Sequence, residues 1–447
     1  KMKKNELVPE PVILGLLLSV FACSCVNKTV EVNDPQGVLA KTEAPVKISV
    51  KLSHKQLDAA KEGTLYLADL ADKENLIAVQ AEENGKDGNA DLTFLMPKGN
   101  PGKRKFRLTA TGLHSPETMK AYAEKETGQI LVEEGTKKVL QYNYQKIYEK
   151  DVIRAVNERK EDEKDYVRNE RDTFTVTSIY AVPRSDYIHP LYGLQGEMLT
   201  RDWPDQIHPH HRGIFWAWPE VYYGTESGDI YALQKVFARP SGNTELTGGA
   251  VFAQVTAENT WMWKDTEPIV NEKAFIRVYR SSSTSRIIDL TVQLVALKDS
   301  ITLATRYTNT YGGLNIRMQT PVNQEISYHT DPAGVDPRRA WSGFRGTFGD
   351  AAFPSGLMVL QHHRNPEYPG AWVQYPNLAW VQPTFPTPDT RFRLEKDKPL
   401  VLRYRFTIDK IEDPDGITPE NRWDAYHSEV TPLISNAVAN SYIHKRF

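Results

Sequence analysis

Apolar and polar residues alternate with period two over much of this chain. Val46, Ile48, Val50 and Leu52 alternate with Lys47, Ser49 and Lys51, and Phe106, Leu108 and Ala110 alternate with Arg107 and Thr109. A segment that is apolar on one face and polar on the other is a half-buried strand. Val139 to Tyr144 adds another, and the runs Asn84-Gly85-Lys86-Asp87-Gly88-Asn89 and Gly99-Asn100-Pro101-Gly102 supply turns between such segments. Ser115 followed by Pro116 and Glu117 opens one short helix. Residues 45–146 are read as a small β-sandwich.

From Tyr148 to Asp172 the composition turns to Glu, Lys, Arg and Asp, so 147–173 is expected to be a charged connector. The strand pattern then returns in Phe174 to Tyr180, Ala274 to Tyr279, Ile287 to Leu297, Thr302 to Thr308, Leu357 to Leu360 and Leu400 to Phe406. Thr418 as N-cap and Pro419 at the first position open a helix that reaches about Ser428. There is no βαβ alternation, no Gly-rich phosphate loop and no heptad repeat. The expected fold is all-β, a small N-terminal sandwich followed by a large antiparallel β-sandwich over 174–447. A length of 447 residues suits two or three domains.

The first residues follow a different rule. Met2-Lys3-Lys4-Asn5 is basic, Val12 to Ala22 is an apolar run short for a bilayer span, and Cys23-Ser24-Cys25 follows. That order describes a secretory signal peptide over 1–25, with an uncleaved anchor helix as the alternative. Cys23, three residues after Val20, fits an acylated cysteine, and 26–44 reads as a tether to the folded part. The expectation is an exported protein held in the bacterial envelope, in the periplasm or on the outer-membrane surface, touching the membrane through its lipid alone. Cys23 and Cys25 are the chain's two cysteines, which excludes a disulfide framework and a cysteine nucleophile beyond the leader.

Charge adds an exclusion and aromatic content adds a hint. Lys plus Arg number 55 against 57 Asp plus Glu, so nothing electrostatic points to nucleic acid. The 21 Tyr, 15 Phe and 9 Trp suit β-sheet and also surfaces that stack on sugar rings.

The densest chemistry is His208-Pro209-His210-His211-Arg212-Gly213. Three histidines in four residues, flanked by Pro and Gly, mark a shaped loop rather than a strand face. Imidazole moves protons near neutrality and is the commonest metal ligand. In extended chain His208 and His210 face the same way and could chelate a divalent metal. Arg212 suits a carboxylate or a developing negative charge. Glu197, Asp202 and Asp205 offer carboxylates to orient a histidine or act as acid or base. The competing use of such histidines is to satisfy backbone carbonyls. Tyr328-His329 and Gln361-His362-His363 end strand-like runs, and Trp341, Trp372 and Trp380 are candidates for a cleft wall.

Tyr187-Ile188-His189-Pro190-Leu191-Tyr192-Gly193, Gly196-Glu197, the His-Pro-His-His-Arg-Gly element and Trp216 together resemble the PmoA-like proteins, bacterial exported domains of unknown function. Tyr311-Gly312-Gly313-Leu314-Asn315-Ile316-Arg317 and His362 with Asn365-Pro366 and Pro369 extend the likeness over most of residues 45–410. The resemblance implies a mutarotase-like supersandwich and a setting in glycan use. It places polar signature positions at His189, Glu197, His208, His210, His211, Arg212, His362 and Asn365. Tyr368 departs from it, where the family commonly has a second histidine.

The resulting expectation is a carbohydrate-active enzyme that cleaves glycosidic bonds by hydrolysis or elimination. His210, His211, Arg212, Glu197 and Asp202 are its catalytic candidates. His189, Tyr192, Trp216, His362, Asn365 and Trp372 are its substrate-binding candidates. A non-catalytic glycan-binding lipoprotein and a metal-dependent oxidase are the alternatives.

Overall fold

The computed structural model describes residues 28–447 except 73–74, 85–87, 115–118, 157, 159–178, 205–207, 330–338, 412–416, 429–432 and 437–447. The expected leader with Cys23, the expected helix at Ser115, most of the expected charged connector, most of the segment from Phe174 to Tyr180, and Asp205 lie outside the described residues.

The fold is all-β, in antiparallel sheets. Two eight-stranded sheets face each other. One runs in the order Trp372–Tyr375, Trp380–Pro383, Gly313–Arg317, Ile214–Ala217, Ile188–Leu191, Lys137–Tyr142, Ile130–Glu134, Met119–Ala123. The other contains the long strands Val236–Thr247, Phe252–Trp263, Glu267–Tyr279, Ser285–Ala296 and Leu400–Lys410. Their inner faces share one core that includes Val139, Trp216, Val255, Ile276, Leu290 and Phe406. Alternation along Glu267–Tyr279, where Ala274, Ile276 and Val278 are buried, is the period-two pattern made physical.

The N-terminal unit packs a five-stranded sheet on a three-stranded one around Val30, Val32, Leu67, Leu92, Phe94 and Phe106. Its boundaries differ from those expected on both sides. Lys28–Asp34 is a central strand with Val30 and Val32 fully buried, so this part of the expected tether belongs to the folded unit. It pairs with Leu433–Asn436, which returns from the far end of the chain. Within the span 45–146 expected to be the small sandwich, the strands Met119–Ala123, Ile130–Glu134 and Lys137–Tyr142 instead extend the first large sheet. Alternation reports that a strand has a buried face, and is silent about which sheet covers it.

The two units meet on an apolar seam of Tyr66, Ala78, Val251, Phe252 and Tyr279. Gln80 spans it, its Oε1 accepting from the backbone N–H groups of Val251 (3.0 Å) and Phe252 (2.9 Å). The helix Pro419–His427 forms as expected, with the Thr418 hydroxyl accepting from the N–H of Asn421.

Candidate functional site

The histidine loop is a turn. The N–H of His211 donates to the carbonyl of His208 at 3.0 Å, with Pro209 at the second position, where its fixed φ is already correct. The turn is clamped by its neighbour: Trp203 N–H donates to His211 O at 3.0 Å and Gly213 N–H to Arg201 O at 2.8 Å. Gly213 has φ +53°, and a Cβ there would lie 2.3 Å from the carbonyl oxygen of Ile188. This residue must be glycine for the loop to reach the sheet.

Folding the loop as a turn changes which rings meet. His208 stacks on His211 with centroids 4.5 Å apart, whereas His208 and His210 stand 6.0 Å apart. The extended geometry that would have aimed His208 and His210 together is absent here.

All three imidazoles line a cleft of about 350 Å³ with an aromatic wall. The ring of Trp380 meets His211 edge-on at 4.2 Å and lies nearly parallel to Tyr231, 7° apart with centroids at 6.0 Å. Tyr311 stands 5.0 Å from Tyr231, and Tyr180 stands 5.0 Å from His210. Arg306 reaches the edge of the cleft, paired to Asp229 at 2.6 Å and within 3.3 Å of the Tyr311 hydroxyl.

Burial, reinforced by the neighbouring imidazoles, holds His211 well below the ordinary histidine range, so it is neutral at physiological pH. Burial likewise pushes the Tyr231 hydroxyl well up, so it keeps its proton. His211 Nδ1 and the Tyr231 hydroxyl are buried and have no hydrogen-bond partner among the described residues. Polar atoms in that state are uncommon in folded proteins, and both belong to residues of the cleft wall.

The remaining expected residues are elsewhere. Arg212 is completely buried, its Nε on Asp202 Oδ1 and its Nη2 on the Tyr187 hydroxyl at 2.7 Å. Burial opposes its charge, and Asp202 and Tyr187 more than restore it. Arg212 and Asp202 therefore serve each other, with no face toward the cleft. His189 is buried, with Nδ1 3.0 Å from the Thr200 hydroxyl and Nε2 2.7 Å from the carbonyl of Ile153. It ties the start of the expected connector to the sandwich and is not among the residues that line the cleft. Trp216 lies in the core, donating to Glu272 at 2.8 Å. Burial, and then the nearby Asp186, raise Glu272 well above the usual carboxylate range.

Glu197 and Tyr192 line a different cleft, of about 600 Å³, where Glu197 accepts from the Gln195 N–H at 2.9 Å and from the Ser355 hydroxyl. Asn365 is spent on the backbone of Arg403, donating to its carbonyl at 2.9 Å and accepting from its N–H at 2.8 Å. Trp372 packs against the main core and is not among the lining residues. His362 meets His363 and His427 instead of the cleft. The wall residues Tyr180, Tyr231, Tyr375 and Arg306 carry no sequence signal, being scattered aromatic and basic residues of a β-rich chain.

Two comparisons bear on this arrangement. A model of a family of unknown function, DUF6807, matches residues 173–416, a span that includes every lining residue of the cleft. No curated protein matches the chain.

Proposed function

The chain belongs to the DUF6807 family of unknown function, a membership that assigns no chemistry, and from the cleft itself we propose a carbohydrate-active enzyme that cleaves acidic glycans by β-elimination. The observation that carries this reading is the pairing of an aromatic wall with two buried polar atoms, His211 Nδ1 and the Tyr231 hydroxyl, that have no hydrogen-bond partner among the described residues. Sugar rings stack on aromatic faces, which the more exposed Tyr180, Tyr311 and Tyr375 offer at the mouth, while the buried pair forms a polar floor beneath them. The resemblance to the PmoA-like proteins belongs to the same proposal, as does export with a lipid on Cys23.

Elimination is favoured over hydrolysis by the donor set. Hydrolysis of a glycosidic bond ordinarily uses two carboxyl groups about 5–10 Å apart. None of the described lining residues is a carboxylate. Imidazole, phenol and guanidinium are present, and these suit elimination. His210, half-buried at the mouth, takes the proton on the carbon beside a uronate carboxylate. That C–H electron pair becomes the new C=C bond, the C–O bond to the departing sugar breaks, and a tyrosine hydroxyl protonates the leaving oxygen. Arg306, its Nη2 paired to Asp229, lies at the edge where the carboxylate would sit.

The test is digestion of a panel of uronate-containing and neutral glycans by the parent and by His210→Ala and His211→Ala. Ultraviolet absorbance from an unsaturated product in the parent, lost in His210→Ala, supports the proposal. New reducing ends without that absorbance would mean hydrolysis. Saturable binding with no product would make this a glycan-binding lipoprotein.

A further inference from the structure

A second set of histidines converges away from the cleft. His362 and His363 follow the strand Ser355–Gln361, and His427 is the last residue of the helix Pro419–His427. One ring nitrogen from each lies within 4.8 Å of the others, and among the described residues this is the single trio of His, Cys, Asp or Glu side chains to do so. The ring centroids are 4.6, 4.8 and 5.2 Å apart.

His427 is prepared for ligation. Its Nδ1 lies 2.8 Å from the carbonyl of Trp423 and its ring stacks on that indole at 3.8 Å. Donation from Nδ1–H to the carbonyl leaves Nε2 with the lone pair, the second-shell arrangement that orients metal-binding histidines.

We propose that His362, His363 and His427 bind one divalent transition-metal ion of the Zn²⁺ class, leaving a fourth position open. Imidazole donors suit zinc, copper and nickel, and three protein ligands with an open position is the pattern of a working site rather than a purely structural one. Arg403 and Arg364 add positive charge beside His362. Arg405, also close, is matched by Asp289 at 2.6 and 2.8 Å.

Tetrahedral coordination with metal–nitrogen bonds of about 2.0–2.1 Å needs ligand nitrogens about 3.3 Å apart, so the trio tightens on loading. Two peptide hydrogen bonds are exchanged in doing so, His363 N–H to His427 Nε2 (3.2 Å) and Arg364 N–H to His362 Nδ1 (3.0 Å). The site draws on a loop within the family match and on a helix beyond it.

The experiment is titration of the purified full-length chain with Zn²⁺ by calorimetry and with Co²⁺ by visible absorption, which reports tetrahedral coordination. One ion per chain is expected. Affinity should fall at least about ten-fold in each of His362→Gln, His363→Gln and His427→Gln and stay at the parental level in His208→Gln/His210→Gln, with circular dichroism verifying each fold. His363→Gln keeps the Trp423–His427 contact, so it reads ligation even if His427→Gln unfolds. Absence of stoichiometric binding, persistence of binding in His363→Gln, or loss in the His208/His210 variant would each overturn the assignment.

Discussion

Arg212 and Asp202 face each other across an antiparallel bridge, both buried, with the Tyr187 hydroxyl 2.8 Å from Asp202 Oδ2 and 2.7 Å from Arg212 Nη2. The guanidinium also lies 4.8 Å from the ring centroids of both Tyr187 and Trp203. Breaking one side of such a pair strands the other charge inside the protein. Arg212→Met is therefore expected to lower stability by about 3–5 kcal/mol in urea denaturation. Adding Asp202→Leu should recover part of that loss, because the second change removes the stranded carboxylate. Parental stability in Arg212→Met with selective loss of activity would return Arg212 to the reacting groups.

The approach of Gly213 to the carbonyl of Ile188 leads to a second expectation. Gly213→Ala combines a left-handed φ with a Cβ contact of 2.3 Å to backbone. The conformational part alone costs about 1–3 kcal/mol. A lower melting temperature, with disturbed histidine ring resonances in NMR, is the expected outcome.

Gln80 supplies the third. Its side-chain carbonyl serves two peptide N–H groups of the strand edge at Val251 and Phe252. Gln80→Leu leaves both buried donors unsatisfied, at about 1–3 kcal/mol each. Calorimetric unfolding should show the N-terminal unit separating from the large sandwich, as an earlier or broadened transition.

The fourth concerns pH. Burial lowers His189 and His211 below the ordinary histidine value of 6.5, so the unfolded chain binds protons at these positions before the folded chain does. The stability tied to their neutral forms is complete above pH 6.5 and is lost as pH falls below it toward the depressed folded values. His211→Gln should flatten this part of the stability–pH curve, measured as melting temperature relative to the parent. An unchanged slope would mean that His211 is protonated in the folded state.

The sequence by itself determined that this chain is all-β, because period-two alternation is a local property that half-buried strands such as Pro45–Lys51 and Glu267–Tyr279 show without reference to their partners, whereas Ile188–Leu191 and Ile214–Ala217, buried on both faces, do not alternate. The helix at Pro419 was equally local, written in Thr418 and Pro419. The histidine loop was legible as a feature for the same reason: its residues are adjacent, and Pro and Gly dictate a turn.

Tertiary structure alone decided the membership of sheets and the chemistry of each polar residue. Lys28–Asp34 and Leu433–Asn436 are strands of one sheet although about four hundred residues separate them, and no local pattern encodes such a pairing. Arg212 and His211 are neighbours in sequence, yet successive side chains leave the backbone in opposite directions. One lies on the cleft wall and the other closes an ion pair beneath it. Tyr231, Trp380 and Tyr311 became a single wall only when their strands and loops packed together, and His427 met His362 only when the C-terminal helix docked. Residue type states what a side chain can do. Burial and neighbours, which are properties of the packed chain, decide which of those things it is free to do.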